Sequence, residues 1–81
     1  MTVTVLLFGP QALRAGRRQI EVPIDEGATV GTLRSALAVV VPEIQASLPG
    51  SRFAVNQEFV DDAKVLTTED EIALIGMLGG G

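Results

Sequence analysis

Three glycines, Gly79-Gly80-Gly81, follow the apolar run Ile72-Ala73-Leu74-Ile75 at the end of this sequence. The run has the character of a buried strand, and three glycines build no packed element after it. Glycine lacks a Cβ, so such an end is narrow and pliant and can enter a slot closed to other residues. The reactive group it carries is the terminal α-carboxylate of Gly81, and this carboxylate is the first candidate for chemistry. An ordinary frayed end accounts for the same residues without any function. Against that reading, the chain opens at Met1 without a tag, and the glycines begin within a few residues of the last apolar run.

The interior offers little competition. There is no cysteine and no histidine, tryptophan or tyrosine, which excludes thiol nucleophiles, histidine-dependent triads, disulfides and the usual zinc ligand sets. Carboxylates occur as Glu58 with Asp61 and Asp62, as Glu69-Asp70-Glu71, and in Asp25-Glu26-Gly27. Paired carboxylates serve acid–base chemistry when burial separates their pKa values. These lie instead in polar stretches where turn chemistry is the ordinary reading. Gly27-x-x-x-Gly31 lacks the following Gly-Lys-Ser/Thr of a phosphate loop.

The elements that must carry the terminus follow from periodicity. Thr2 to Phe8 alternates and then turns apolar, which predicts a strand with Val3, Val5 and Leu7 facing a core. Leu6 and Phe8 then share the opposite face. Gly9-Pro10 breaks this strand, and Gln11 to Gly16 reads as a loop or a helical turn ending at glycine. Gln19 to Ile24 is a second strand with Ile20, Val22 and Ile24 on one side, joined to the first by a hairpin or a longer loop. After the turn at Asp25-Glu26-Gly27, Thr29 is placed to cap a helix from Val30 to Val41. Val30, Leu33, Leu37 and Val40 or Val41 form its apolar stripe.

Pro42 ends or kinks that helix, and Glu43 to Leu48 reads as one more short helical stretch before a turn at Pro49-Gly50. Phe53 to Val55 and Phe59-Val60 are short strands around a tight turn at Asn56-Gln57. Lys64 to Leu66 is extended, and Thr67 to Asp70 is a polar turn. Glu71 to Ile75 is apolar on both faces, as a central strand would be. The order predicts an α+β fold of the β-grasp, ubiquitin-like type: a mixed sheet with one main helix packed across it, first and last strands adjacent and parallel. Leu6, Phe8, Phe59, Ile75, Met77 and Leu78 then gather on the uncovered side and at its tail end. Scattered surface apolar atoms would explain them too, but a contiguous patch beside a free end has the makings of a docking face.

Eighty-one residues make one domain, 1–81, with a flexible glycine tail over 76–81. With 47% hydrophobic and 20% charged residues the chain is globular. A net charge of −4 with six scattered basic residues repels nucleic acid and favours a basic partner surface. Arg14, Arg17 and Arg18 are the one basic cluster. The longest apolar run, Ala36 to Val41, falls far short of the roughly 20 residues of a membrane span. No signal peptide is visible, and a cytoplasmic location is expected.

Along its full length the sequence resembles the small subunit of molybdopterin synthase, the MoaD-type sulfur carriers of the ubiquitin-like superfamily. The matching segments are Val5-Leu6-Leu7-Phe8, Leu13-Arg14-Ala15-Gly16, Ala28-Thr29-Val30-Gly31-Thr32-Leu33, Ala54 to Val60, Asp70 to Ile75, and Gly80-Gly81. The resemblance implies a non-catalytic carrier subunit of molybdenum cofactor biosynthesis that binds no cofactor itself. An E1-like adenylating enzyme would use ATP to activate Gly81, a thiocarboxylate would form there, and the tail would enter the large molybdopterin synthase subunit of a heterotetramer. Gly79, Gly80, Leu78 and Met77 would lie in the partner's tunnel, with Ile75, Phe8 and Phe59 on the docking face. Two departures stand out: the family usually has Gly-Asp-Glu where Glu69-Asp70-Glu71 stands, and usually carries two prolines and a Ser or Thr before the glycine pair, where here stand Gly76, Met77, Leu78 and Gly79. A thiamine-type sulfur carrier resembles it too, as does a ubiquitin-like modifier or interaction module without sulfur chemistry.

Overall fold

A computed structural model describes residues 1–76. Five strands form one sheet in the order β2-β1-β5-β3-β4, with β1 Thr2–Leu7, β2 Gln19–Pro23, β3 Arg52–Val55, β4 Glu58–Val60 and β5 Ile72–Ile75. β1 and β5 run parallel at the centre, and every other pair is antiparallel. Helices α1 (Gly9–Ala15) and α2 (Val30–Val40) and a 3₁₀ stretch, Pro42–Gly50, complete it. This is the β-grasp arrangement expected from the order of elements.

Alternation fixes which face of each strand is buried. Val3, Val5 and Leu7 of β1, Ile20 and Val22 of β2, Phe53 and Val55 of β3, and Ile72 and Leu74 of β5 all turn into one core. α2 closes it with Val30, Leu33 and Leu37, each fully buried, and Ile44 and Leu48 of the 3₁₀ stretch extend the cover. The stripe ends on the buried Val41 while Val40 stays exposed, because Val41 has already left the helical conformation as its C-cap. Thr29 caps α2 as its spacing predicted, its side chain accepting from the Thr32 amide at 3.3 Å.

Two local expectations are corrected, and one left open is decided. Of the loop or helical turn ending at glycine expected over Gln11 to Gly16, the structure has the helical form, α1, so no hairpin joins the first two strands; Gly16, at φ 71°, ends it with its N–H on the carbonyls of Ala12 and Leu13. Phe8 is not in β1 but is the N-cap residue of α1, still extended at φ −136°. The stretch after Pro42 is longer than Glu43–Leu48 and contains Pro49-Gly50, and the chain is extended again from its C-cap, Ser51. Lys64 to Leu66 contributes one isolated bridge, Thr29 to Val65. Arg34 ties these layers together: its guanidinium donates to the carbonyls of Leu48 and Ser51, pairs with Asp62 at 2.8 Å, and sits 5.1 Å over the Phe53 ring.

Candidate functional site

β5 is the strand that delivers the chain end. Because it is central, with β1 on one side and β3 on the other, Ile72 to Leu74 are held by two ladders and Ile75 by the β3 ladder alone. Its last pairing is Ile75 opposite Arg52, and Gly76 follows at the end of the sheet. The first turn of α1 and Ser51, just ahead of β3, stand at this same end. Gly81, Gly80, Gly79, Leu78 and Met77 lie outside the described residues.

The face of the sheet away from α2 carries the other expected residues. Registers line Leu6 up with Ala73, Ala73 with Ala54, and Ala54 with Phe59, one row across four strands. Ile75 and Arg52 form the next row towards the exit. Phe59 is 55% exposed and Phe8 51%, while Leu6 and Ile75 are half-buried. Phe8 and Leu6 border one shallow depression together with Leu7, Gly9, Ala12 and Arg18. The two alanines keep the middle of this face low, so the larger side chains stand around it as a rim.

Arg52 was not singled out by the sequence, yet its guanidinium lies 4.2 Å from the centroid of the Phe59 ring. Such stacking orients an exposed aromatic and is worth about 0.5–1 kcal/mol at the surface. The diagonal reach was readable in principle. The two-residue turn at Asn56-Gln57, both with positive φ (53° and 70°), sets the hairpin register.

Gln11 is the second residue that pattern reading passed over. It is 4% exposed, and its amide nitrogen donates to Ser47 Oγ at 2.9 Å and Ser51 Oγ at 2.7 Å. Its Oε1 has no hydrogen-bond partner. A Cβ added at Gly76 would lie 3.3 Å from that oxygen, so the exit residue packs directly against the Gln11 amide. No local period marks a single Gln between Pro10 and Ala12 as buried.

The carboxylates behave as turn residues. Asp61 accepts from the Ala63 amide at 2.9 Å and Asp62 pairs with Arg34. Asp70 accepts from the Thr67 amide at 2.8 Å and from Asn56 Nδ2 at 3.0 Å, and these bonds hold its carboxyl below the usual range. Among the described residues no group of three potential metal ligands comes together, and no helix is long and apolar enough to cross a membrane.

A mixed five-stranded sheet grasping one main helix, with a central strand that releases the chain end beside an apolar face, defines a ubiquitin-like β-grasp protein. The ThiS family model matches residues 5–81, and the chain belongs to that family. It is 36% identical over 81 aligned residues to the molybdopterin synthase sulfur carrier subunit of Dictyostelium discoideum, covering 95% of this chain and 93% of that one. Among solved structures it is similar to SAMP1 from Haloferax volcanii, at TM-score 0.88 and 26% identity with both chains fully covered. It also matches a chain of the complex of subunits 1 and 2 of molybdopterin-converting factor from Helicobacter pylori, at TM-score 0.70 and 22% identity over the whole of both chains; that likeness is one of fold.

Proposed function

We propose that this chain is the sulfur carrier of a molybdopterin synthase, with the Gly81 carboxyl as the atom group that is loaded and unloaded. The observation that carries the reading is the likeness to the Dictyostelium carrier subunit over nearly the whole of both chains, in a sequence ending Gly80-Gly81. A chain without cysteine has no side chain to hold sulfur covalently, which leaves the backbone terminus for that task.

A carboxylate oxygen of Gly81 attacks the α-phosphorus of ATP in an E1-like adenylating enzyme, and pyrophosphate leaves. The resulting acyl-adenylate is a good electrophile where the free carboxylate was a poor one. A hydrosulfide-level nucleophile attacks the acyl carbon, AMP departs, a proton is released and a thiocarboxylate remains. In the large synthase subunit the thiocarboxylate sulfur displaces an oxygen substituent from a carbon of cyclic pyranopterin monophosphate. The C–O bond breaks as the C–S bond forms, and the oxygen leaves with the electron pair and takes up a proton. Water then cleaves the acyl–sulfur bond and restores the carboxylate, so a dithiolene takes two such turnovers. This chain's part is positioning: β5 sends the tail out, and Phe8, Phe59 and Ile75 on the open face dock the partner. The large-subunit partner is supported by the likeness to the Dictyostelium chain, which is itself named a subunit of molybdopterin synthase.

The likeness to SAMP1 favours a second reading, in which the same activated carboxyl is passed to an amine as a modifier. A thiamine-type carrier differs in acceptor only. Intact-mass spectrometry of the protein from its own host distinguishes these. The carrier reading expects a species heavier by the difference between sulfur and oxygen at Gly81, and expects Gly80→Trp to abolish sulfur delivery without lowering the melting temperature. An unloaded terminus found only in amide linkage to other proteins overturns it in favour of the modifier. Sulfur passing to a thiazole precursor rather than to a pterin overturns the choice of pathway.

A further inference from the structure

Beside the end of the sheet where β5 stops, the molecule carries a charge opposite to its own net charge. No acidic residue precedes Glu21, and three of the six basic residues, Arg14, Arg17 and Arg18, fall within five positions. All three are exposed, and among the described residues none of them enters an ion pair. Their backbone is tied from both sides. The Gly16 and Arg17 amides bond the Ala12 carbonyl at 2.9 and 3.2 Å, and the Arg18 carbonyl accepts from the Leu7 amide at 2.7 Å. The turn after α1 therefore presents its guanidinium groups from a fixed base.

Two of these arginines border a groove with apolar walls. The depression beside Leu6 and Phe8, about 360 Å³, shares Gly9, Ala12 and Arg18 with a second of about 580 Å³ that Leu13, Gly16 and Arg17 complete. Together they run from the open face of the sheet around the side of α1. Leu13, 83% exposed, is the most exposed large apolar side chain among the described residues. Both depressions are open, and an open apolar surface rimmed by charge suits a protein segment rather than an enclosed small molecule. Arginine among apolar and aromatic side chains is also the composition of protein interfaces. Because β1 and β5 are parallel, α1 follows β1 at the end of the sheet where β5 stops, so a partner covering Phe8 and that end borders the groove. Resting on the carrier reading above, we propose that this groove is a second docking surface for the large synthase subunit and receives an acidic segment of it. An apolar side chain of that segment lies against Ala12 and Leu13, and its carboxylates pair with Arg17 and Arg18. All ten acidic residues of this chain come from Glu21 onward and repel such a segment elsewhere, so the groove also sets the orientation of docking.

The test is a calorimetric titration of the full chain into the large synthase subunit of the same host, at low and at raised salt. The native chain is compared with Arg17→Glu, with Leu13→Ser and with Lys64→Glu, a control of equal charge change whose backbone lies beside the start of α2. Arg17→Glu is expected to weaken binding about tenfold at low salt, and by less as salt screens the pair. Leu13→Ser is expected to weaken it about fivefold at either salt, and Lys64→Glu by less than about twofold. All three side chains are exposed, so melting temperatures should match the native chain. An unchanged Kd for either groove variant, or an equal loss in Lys64→Glu and Arg17→Glu, overturns the groove while leaving the carrier reading standing. A native chain that self-associates at low salt, and no longer does so as Arg17→Glu, makes a second copy the occupant and overturns the choice of the large subunit. A native chain that does not bind the large subunit at all overturns the carrier reading and this surface with it.

Discussion

The two ends of β5 are each organised around a carboxamide, and the two carboxamides are used differently. Where the strand begins, Asn56 Nδ2 donates to Asp70 and Asn56 Oδ1 accepts from the Glu71 amide at 2.9 Å, while the Asn56 amide bonds the Glu71 carbonyl at 2.8 Å. Asp70 spends its second oxygen on the Thr67 amide. Both amide groups of that side chain are satisfied, although the residue is exposed to water that would have served them. Where the strand ends, Gln11 is shut away from water, and only its nitrogen has partners. A closed network fixes one geometry. An open one at the exit leaves a fixed acceptor beside Gly76. The start of β5 is therefore locked by its own hydrogen bonds, while at its end one buried acceptor is left unused.

That contrast is most sharply tested on the open face near the exit. Phe59→Asp is expected to weaken binding to the large subunit by about 2 kcal/mol, roughly thirtyfold in Kd by titration. Its stability should stay within about 0.5 kcal/mol of the native chain, because Phe59 is exposed and Arg52 beside it would face the new carboxylate. An unchanged Kd would remove Phe59 from the docking face. The start of the strand should respond the opposite way. Asn56→Ala loses both amide contacts and puts alanine at φ 53°, which should cost about 1–3 kcal/mol in denaturant unfolding with no change in partner affinity. A loss of affinity would break the division between the two ends.

The smallest effect concerns acid. Hydrogen bonds from the Thr67 backbone and the Asn56 side chain hold the folded-state pKa of Asp70 below its ordinary 3.8. The contribution of that carboxylate is thus complete above the unfolded value and is lost as pH falls from there through the folded one. Melting temperatures measured as pH is lowered below about 4 should fall less steeply in Asp70→Asn than in the native chain. Identical slopes would show that the carboxylate is not part of the lock.

Much of this protein is written in short-range pattern. Period-two alternation identified Val3, Val5, Leu7, Ile20, Val22 and Ile24 as core-facing, and period 3.6 gave Val30, Leu33 and Leu37. The apolar character of Ile72–Ile75 on both faces marked a central strand, and β5 is one. Where the reading fell short, local signals were weak. Seven residues of α1 offer too few turns for a helical period, so the sequence left a loop and a helical turn as alternatives there. Helical hydrogen bonding with a proline within it hid the full length of Pro42–Gly50. Phe8 follows strand parity without being in the strand, since the break at Gly9-Pro10 comes one residue later.

Sequence alone determined the inward face of the strands and of α2, the order of the five strands along the chain, and the absence of any thiol or imidazole, because each is a property of residue type or of spacing along one element. Tertiary structure decided that Gln11, Ser47, Ser51 and Gly76 meet at one end of the sheet, across separations of 36 and 40 residues for the two serine bonds. It likewise decided that Arg52 lies over Phe59. Hydrophobic periodicity sets which face of an element is buried. Which polar groups meet inside depends on how α1 and the 3₁₀ stretch sit against the end of the sheet, and no repeat within a single segment encodes that.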